Sequence, residues 1–291
     1  MSIIITGASG HLGRTVAENV LDRADPAGVV LVTRDPSRLA DLAERKADVR
    51  RGDFTDPGSL ADAFAGATKV LVISLDRVGE RVDAHKAAID AAVAAGAQSI
   101  AYTSAVNPSD SNPLFVAHEH RETEEHLRAS GAAWTMLRNS IYTEILLAGA
   151  EAALASGRHV TNEGDGRVSY VARADCAAVA AAVLTTDGHD GMEYDITGPE
   201  SLSAHDVAAL YSELSGRPVE VLLVDDHAYA AGLVEHAGMP EAVARVYTTF
   251  GTGTRRGYSG ALSTTVTDLT GRTPMSARDV LAANPAAFPA G

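Results

Sequence analysis

The first half of the chain alternates short apolar runs with segments whose apolar positions recur at helical spacing. The apolar runs predict six strands, at residues 3–5, 29–33, 47–51, 69–73, 99–102 and 134–137. Segments of helical period lie between them, at residues 15–21, 57–65, 82–95 and 117–130. Strands and helices that alternate with short connections are typical of an α/β protein with a doubly wound parallel sheet.

After residue 140 the alternation becomes less regular. Helical patterns are found at residues 141–156, 175–184, 204–215, 226–236 and 241–249, and strand patterns at 158–160, 168–171, 194–196 and 219–224. We expect residues 1–140 to form the nucleotide-binding core and residues 141–291 mainly a smaller C-terminal α/β substrate lobe. Segments such as 167–196 are expected to return to the core. The glycine-rich segment 251–260 is predicted to be a flexible loop.

A glycine-rich turn joins the first strand to the first helix. Gly7, Gly10 and Gly13 have the spacing G-x-x-G-x-x-G, a variant of the dinucleotide-binding fingerprint. Gly7 would permit a tight turn, Gly10 a close approach of the backbone to a pyrophosphate, and Gly13 close packing of helix on strand. An ordinary βα turn with surplus glycine is the alternative. The predicted Rossmann-type site comprises Gly7, Ser9, Gly10, His11, Leu12 and Gly13.

The end of the second strand indicates which dinucleotide is bound. Sites for NAD usually carry Asp or Glu about 20 residues past the turn, to accept from the ribose hydroxyl. This chain has Arg34 there, and Arg38 follows one turn later. A guanidinium suits a 2′-phosphate, so the pattern favours NADP(H). Alternatively both arginines are solvated charges, and the adjacent Asp35 would weaken the preference.

Polar residues also follow the other strands of the predicted sheet. Asp53 would accept from the adenine amino group and Phe54 would pack near the base, although Asp53 would equally suit a cap of the helix at 57–65. Ligands of parallel sheets lie beyond the carboxyl ends of the strands. Further residues expected at this edge are Ser74, Thr103, Ser104 and Asn139.

Composition narrows the class of partner. The formal net charge is −14, from 24 Lys and Arg against 38 Asp and Glu. Without a basic cluster we expect no nucleic-acid partner. The only cysteine, Cys176, excludes an internal disulfide and fits a reducing compartment. No apolar stretch reaches the roughly 18 residues of a membrane span. We expect a cytoplasmic protein, a monomer or homodimer, that takes a small-molecule acceptor and does not bind membranes.

Several short motifs occur in order along residues 2–215. They are TGASGHLG at 6–13, VTRDP at 32–36, AYTS at 101–104, EHRETE at 119–124, LRNSIY at 137–142, and GDG at 164–166 with ARAD at 172–175. In these motifs the chain resembles the NmrA-like atypical short-chain dehydrogenases, most closely their type 2 NAD(P)H:quinone oxidoreductases. The resemblance implies a bilobal protein that uses NADP(H) and passes hydride to a quinone-like acceptor. Two alternatives stay open, a non-catalytic NADP(H)-binding redox sensor and a biosynthetic carbonyl or enone reductase.

The usual catalytic pair of short-chain dehydrogenases is missing. Most members carry a tyrosine and a lysine four residues apart on the helix after the fifth strand, with a serine upstream. Ser104 suits the serine's place, but the helix at 117–130 has neither partner. His120 and Glu124 would share a face of that helix. A histidine supported by a carboxylate can act as a general acid, which is one hypothesis, and a solvated helix face is the other.

Loss of the Tyr/Lys pair weakens a ketone reductase more than a quinone reductase, because a hydroquinone anion can take its proton from water. On that view the protein mainly aligns the cofactor with the acceptor. Tyr142 and Asn139 would line the acceptor pocket, although Tyr142 would also suit a packing position on the helix at 141–156. No metal site is expected, because the order His-Glu-x-x-His is absent.

Overall fold

A computed structural model describes residues 2–289. The strands are β1 (Ile3–Ile5), β2 (Val29–Thr33), β3 (Asp48–Arg51), β4 (Lys69–Val72), β5 (Ser99–Ala105), β6 (Ala133–Asn139), β7 (Arg158–Thr161), β8 (Arg167–Val168), β9 (Met192–Ile196), β10 (Leu202–Ser203) and β11 (Glu220–Leu223). The helices are α1 (His11–Leu21), α2 (Ala40–Glu44), α3 (Leu60–Ala63), α4 (Val82–Ala94), α5 (Phe115–Ala129), α6 (Ile145–Ser156), α7 (Arg173–Thr185), α8 (Ala204–Ser215), α9 (Asp226–Ala237), α10 (Glu241–Arg255), α11 (Thr265–Thr270) and α12 (Ala277–Ala282).

Seven parallel strands form the central sheet, in the order β3-β2-β1-β4-β5-β6-β9. The order reverses between β1 and β4, and in such sheets the ligand crevice opens beyond the carboxyl ends of the strands at that switch point. The predicted α/β fold with a doubly wound parallel sheet is therefore confirmed. The crevice lies where the glycine-rich turn leaves β1.

Both faces of the inner strands β1, β2, β4 and β5 are buried, which explains why β1, β2 and β4 are nearly continuous apolar runs. Ile3 and Ile5 belong to the core on one face, together with Val16 of α1 and Val179 of α7. Ile4 points the other way, into the core that contains Ile89 of α4. Successive side chains of a strand alternate between the two faces, so three consecutive isoleucines anchor both helical layers.

A second lobe is built from α6, α8, α12 and two small sheets, β7 with β11 in parallel and β8 with β10 antiparallel. Its core includes Leu146 and Ala150 of α6, Val207 and Tyr211 of α8, and Phe288. α7 leaves this lobe and packs on α1, and β9 extends the central sheet beside β6. α11 contacts both α7 and β9. The chain thus crosses between the two parts more than once.

The glycine-rich segment 251–260 differs from its prediction. Residues 251–255 continue α10 to its end at Arg255, so the expected flexible loop is wrong for the first half of the segment. A Cβ on Gly251 would overlap the side chain of Asn162, 2.8 Å from its Nδ2. Glycine permits this close contact between helix and loop, and it does not mark flexibility here. No helix within residues 2–289 is long and apolar enough to cross a membrane.

Candidate functional site

The turn after β1 has a backbone that only glycine adopts easily. Gly7 has φ of +60°, in the left-handed region. A Cβ on Gly13 would lie 2.8 Å from the Gly7 carbonyl carbon and closer still to its oxygen. Gly10 begins α1 without a side-chain cap. The amides of the first helical turn are therefore left to bind an anion.

The residues around these glycines divide into exposed positions and positions that are buried or hydrogen-bonded. His11 is exposed at the first position of α1, whereas Leu12 is buried beneath it. Ser9 Oγ lies 2.7 Å from Oγ1 of Thr33, at the end of β2. Thr6 is a further residue, which the sequence did not single out. Its hydroxyl donates to the carbonyl of Leu71 in β4 and accepts from the amide of Ile73, directly after β4. These bonds tie the turn to both neighbouring strands.

Arg34 and Arg38 are exposed beside the turn. Neither guanidinium has an ion-pair partner within residues 2–289, unlike Arg14, which pairs with Glu18 and Asp41. The adjacent Asp35 accepts from the amide and hydroxyl of Ser37, at 3.1 and 2.6 Å, and these bonds lower the pKa of its carboxyl. Asp35 thus closes its own turn, and the two guanidinium groups remain available to a phosphate.

Asp53 and Phe54 take local roles after β3. The carboxylate of Asp53 accepts from the amide and hydroxyl of Thr55, at 2.9 and 2.8 Å. Those bonds, with the charge of nearby Arg34, hold the pKa of Asp53 below its usual value. No side-chain cap begins the helical segment at residue 57. Phe54 is 7% exposed and packs in the core, so its ring does not form an open surface for a base.

Unpartnered polar atoms lie near the carboxyl ends of β5 and β6. The hydroxyl of Ser104, Oδ1 of Asn139 and the hydroxyl of Thr143 are buried and make no hydrogen bond within the part of the chain that the structure describes. Each such group costs roughly 1–3 kcal/mol when left unsatisfied. Their placement at the ligand-binding edge of the sheet fits a bound molecule that would supply the missing partners. Thr143 was not found by sequence reasoning, because no pattern marks it.

The ends of β4 and β5 are joined at the same edge. The amide of Ser74 donates to Oγ1 of Thr103 at 2.8 Å, and the two hydroxyl oxygens lie 3.2 Å apart. Thr103 is 2% exposed, so its role is to support the edge, and Ser74 is the more accessible of the two.

Tyr142 connects the end of β6 with the beginning of α7. Its hydroxyl accepts from Nδ2 of Asn139 at 3.0 Å, and the guanidinium of Arg173 lies 5.3 Å from its ring centroid. Burial raises the pKa of the phenol, which is therefore neutral at physiological pH. Tyr142 is thus bonded to Asn139, whose Oδ1 is one of the unpartnered atoms described above.

The predicted pair of His120 with Glu124 is not formed. Both carboxylate oxygens of Glu124 accept from Arg138 of β6, at 2.9 and 2.7 Å, and Arg128 adds a bond of 2.8 Å. His120 instead binds the hydroxyl of Tyr102, which lies 2.8 Å from its Nδ1. Burial, followed by the charge of Arg81, lowers the pKa of His120 well below its usual value. A carboxylate-supported histidinium is thus excluded, and His120 is neutral at pH 7.

A buried polar network lies between α4, β5 and α5. Nε2 of His85 accepts from the amide of Leu75 at 2.9 Å. Arg81 and Glu119 form an ion pair of 2.9 Å, with both side chains less than a tenth exposed. Sequence reasoning missed these residues. The available signal was that His85 occupies an apolar-face position of its helix, next to Ala84 and four residues before Ile89.

Comparison with known proteins gives three findings. Residues 7–187 match the model of a family described as NAD(P)H-binding. The chain is 38% identical over 242 residues to quinone oxidoreductase 2 of Escherichia coli K12, covering 83% of this chain and 84% of that protein. It is 29% identical to an NAD(P)H azoreductase of Xenophilus azovorans, over 98% of this chain and 99% of that one.

The solved structures include a similar fold with a cofactor. The NADPH-dependent quinone oxidoreductase of Escherichia coli, crystallised with NADPH, aligns with a TM-score of 0.92 and 35% identity. The alignment covers 97% of this chain and 99% of that one.

Proposed function

The chain belongs to the NAD(P)H-binding family, and from this premise we propose that it is an NADPH-dependent oxidoreductase that transfers hydride to a quinone-like acceptor. Two neighbouring features carry the proposal. The N-terminus of α1 follows the glycine turn without a side-chain cap, and Arg34 is exposed and has no ion-pair partner among residues 2–289. The complex of the similar Escherichia coli enzyme with NADPH supports the same cofactor.

The cofactor would be held by two charged contacts. The amides of the first turn of α1 would bind the pyrophosphate, since they carry the positive end of the helix dipole. Arg34, with Arg38 beside it, would bind the 2′-phosphate through charge-assisted hydrogen bonds. A cofactor without that phosphate loses the second contact, so the preference for NADPH follows from the same residues.

The reaction would not need a proton from the protein. The reduced nicotinamide supplies a hydride, and a quinone that receives it becomes a hydroquinone monoanion, which then takes a proton from water. Ser104 and Asn139 would orient the bound pair through their unpartnered polar atoms. Tyr142 would line the acceptor side. A protein that only orients the reactants, while water supplies the proton, needs no catalytic tyrosine or lysine, and α5 carries neither.

The activity is tested with purified protein, NADPH and 1,4-naphthoquinone, by following the absorbance of the reduced cofactor. We expect turnover well above the uncatalysed rate and a lower KM for NADPH than for NADH. An azo dye tested in parallel separates a quinone reductase from an enzyme with the activity named for the Xenophilus relative. Tight NADPH binding without turnover on any acceptor would contradict the proposal and favour a redox sensor.

We further propose that the protein acts in the cytoplasm, because a chain with one cysteine has no internal disulfide and suits a reducing compartment. We propose that it is a monomer or a homodimer. Its one cysteine, Cys176, is buried in α7, and burial raises the pKa of the thiol far above its usual value. A thiol held neutral in this way is a poor nucleophile. The reaction proposed above therefore leaves it unused.

A further inference from the structure

The hydrogen bonds between α4, β5 and α5 indicate which ring nitrogen carries the proton in His85 and in His120. The amide of Leu75 can only donate, so Nε2 of His85 accepts, at 2.9 Å. His85 is neutral, because burial lowers its pKa to about 3, and its proton therefore lies on Nδ1. Thr123 donates its own hydrogen to the carbonyl of Glu119 at 2.9 Å. Its oxygen is thus an acceptor for the Nδ1–H of His85, 3.3 Å away.

The hydroxyl of Tyr102 lies between His85 and His120, so the proton position on His85 decides to which side the hydroxyl donates. The phenol oxygen lies 3.3 Å from Nδ1 of His85, which already carries a proton, so the phenol cannot donate in that direction. Its hydrogen therefore goes to Nδ1 of His120, the closest acceptor, at 2.8 Å. Because Tyr102 is fully buried, its hydrogen needs such a partner inside the protein. His120 must therefore accept on Nδ1 and carry its own proton on Nε2.

The Nε2–H of His120 has no acceptor within residues 2–289, and a small part of the residue, 6%, remains exposed. The network reaches the edge where the cofactor is proposed to bind, because His85 holds the amide of Leu75, directly after Ser74. On the other side, the amide of Phe115, at the start of α5, donates to Thr249 of α10. α5, which carries His120, thus packs on β5 and β6 on one side and contacts α10 on another.

We propose that His120 donates a hydrogen bond from Nε2 to the acceptor oxygen that becomes negative when hydride arrives, with Tyr102 and His85 as positioning residues that fix its tautomer. This inference rests on the proposed function. Hydride passes from the reduced nicotinamide to the quinone, the oxidised cofactor and the hydroquinone monoanion form, and the His120 proton stays on nitrogen. The proton that completes the hydroquinone comes from water. A neutral donor fits this role, because it stabilises the anion in the transition state without giving up its proton.

Replacement of His120 tests the donor directly. His120→Leu removes it, and we expect kcat with 1,4-naphthoquinone to fall ~100-fold while the Kd for NADPH stays within about 2-fold, the scale seen when one such donor is lost. His120→Gln keeps an N–H near the same place and should recover most of that loss. His126→Gln is the matched control, because His126 lies on the same helix and binds only Asp90 at the surface.

A series of quinones gives a readout that a merely structural role would not change. Without the donor, kcat should depend more steeply on the basicity of the hydroquinone oxygen, since water alone must then stabilise the charge. Tyr102→Phe should show the same steepening with a smaller loss, about 10-fold, because its His120 is free to adopt either tautomer. Equal rates for the wild type and His120→Leu would overturn the inference and leave the proposed function intact.

Nitrogen-15 NMR of the full chain with NADP⁺ measures the tautomer without turnover. The His120 resonances, identified by their loss in His120→Gln, should be those of a neutral ring protonated on Nε2 from pH 5 to 8. Added 4-nitrophenolate, an oxyanion probe, should shift the Nε2–H proton downfield. A ring protonated on Nδ1, or one that titrates in this range, would overturn the inference whether or not the enzyme turns over. A wild type without quinone turnover would instead contradict the proposed function, and this inference with it.

Discussion

The guanidinium of Arg138 binds both carboxylate oxygens of Glu124, at 2.9 and 2.7 Å, and so joins β6 to the buried face of α5. The Glu124 side chain is only 1% exposed. A buried ion pair need not stabilise a protein more than apolar residues would, but removal of one partner leaves a charge without compensation. The pair therefore holds α5, and with it His120, at a fixed position above the sheet.

Arg138→Met should lower the free energy of unfolding by about 3 kcal/mol, because Glu124 would keep only its bond to Arg128. Urea denaturation measures the change. The double variant Arg138→Met, Glu124→Leu should recover much of the loss, since it leaves no unpaired charge of this pair. The control is Arg245→Met, which breaks an exposed pair with Glu241 and should cost less than about 0.5 kcal/mol. Similar losses for the two single variants would show that burial does not matter here.

Gly13→Ala should both destabilise the protein and abolish NADPH binding. The added Cβ would overlap the Gly7 carbonyl, so the turn and α1 would have to separate, at a cost of about 1–3 kcal/mol. Titration calorimetry with NADPH and thermal unfolding follow the two effects. Gly232→Ala is the control, because nothing lies within 4 Å of a Cβ there. In the middle of α9 it should raise stability by up to about 1 kcal/mol.

Features that depend on neighbours in sequence were predictable. The three glycines, the strand period and Arg34 at the end of β2 are all local, and a parallel sheet brings its carboxyl ends to one edge whatever the details. Ser74 and Asn139 were placed at that edge for this reason alone.

Features that depend on partners distant in the sequence were not predictable. Helical spacing places His120 and Glu124 on one face of α5, but it does not say that Arg138 of β6 meets that face. The guanidinium offers two parallel hydrogen bonds, which a histidine cannot, so it takes the carboxylate. The flexible loop predicted at Gly251 is wrong for the same reason, because the residue that requires a glycine there, Asn162, is far away in sequence.

Arg34→Ala should weaken NADPH binding by about 1–3 kcal/mol and leave NADH binding nearly unchanged, because only the 2′-phosphate would lose its partner. Fluorescence titration of both cofactors gives the difference. Arg23→Ala, at the other end of α1, removes an exposed positive charge and should affect neither cofactor. An equal loss for NADPH and NADH in Arg34→Ala would show that Arg34 acts on another part of the cofactor.

Glu163 should make the protein less stable as the pH rises. Its half-buried carboxyl follows β7, has no cationic partner within residues 2–289, and lies near Tyr170, Tyr211 and Tyr229. Burial raises its pKa to about 7 from the ordinary 4.5. Between these values the unfolded chain releases the proton while the folded chain keeps it, so stability is full below pH 4.5, falls with rising pH, and levels off above 7.

Glu163→Gln removes this titration. The variant should match the wild type near pH 4 and exceed it by about 2 kcal/mol at pH 8, because a tenfold change in proton affinity corresponds to about 1.4 kcal/mol and partial exposure reduces the total. Urea unfolding from pH 4 to 8 measures the difference, in which the titration of all other groups cancels. Glu151→Gln, an exposed carboxyl on α6, should show no such divergence. If the two curves for Glu163→Gln and wild type stay parallel, the Glu163 carboxyl is ionised in the folded protein, and a counter-charge or water must reach it through the loop between β7 and β8.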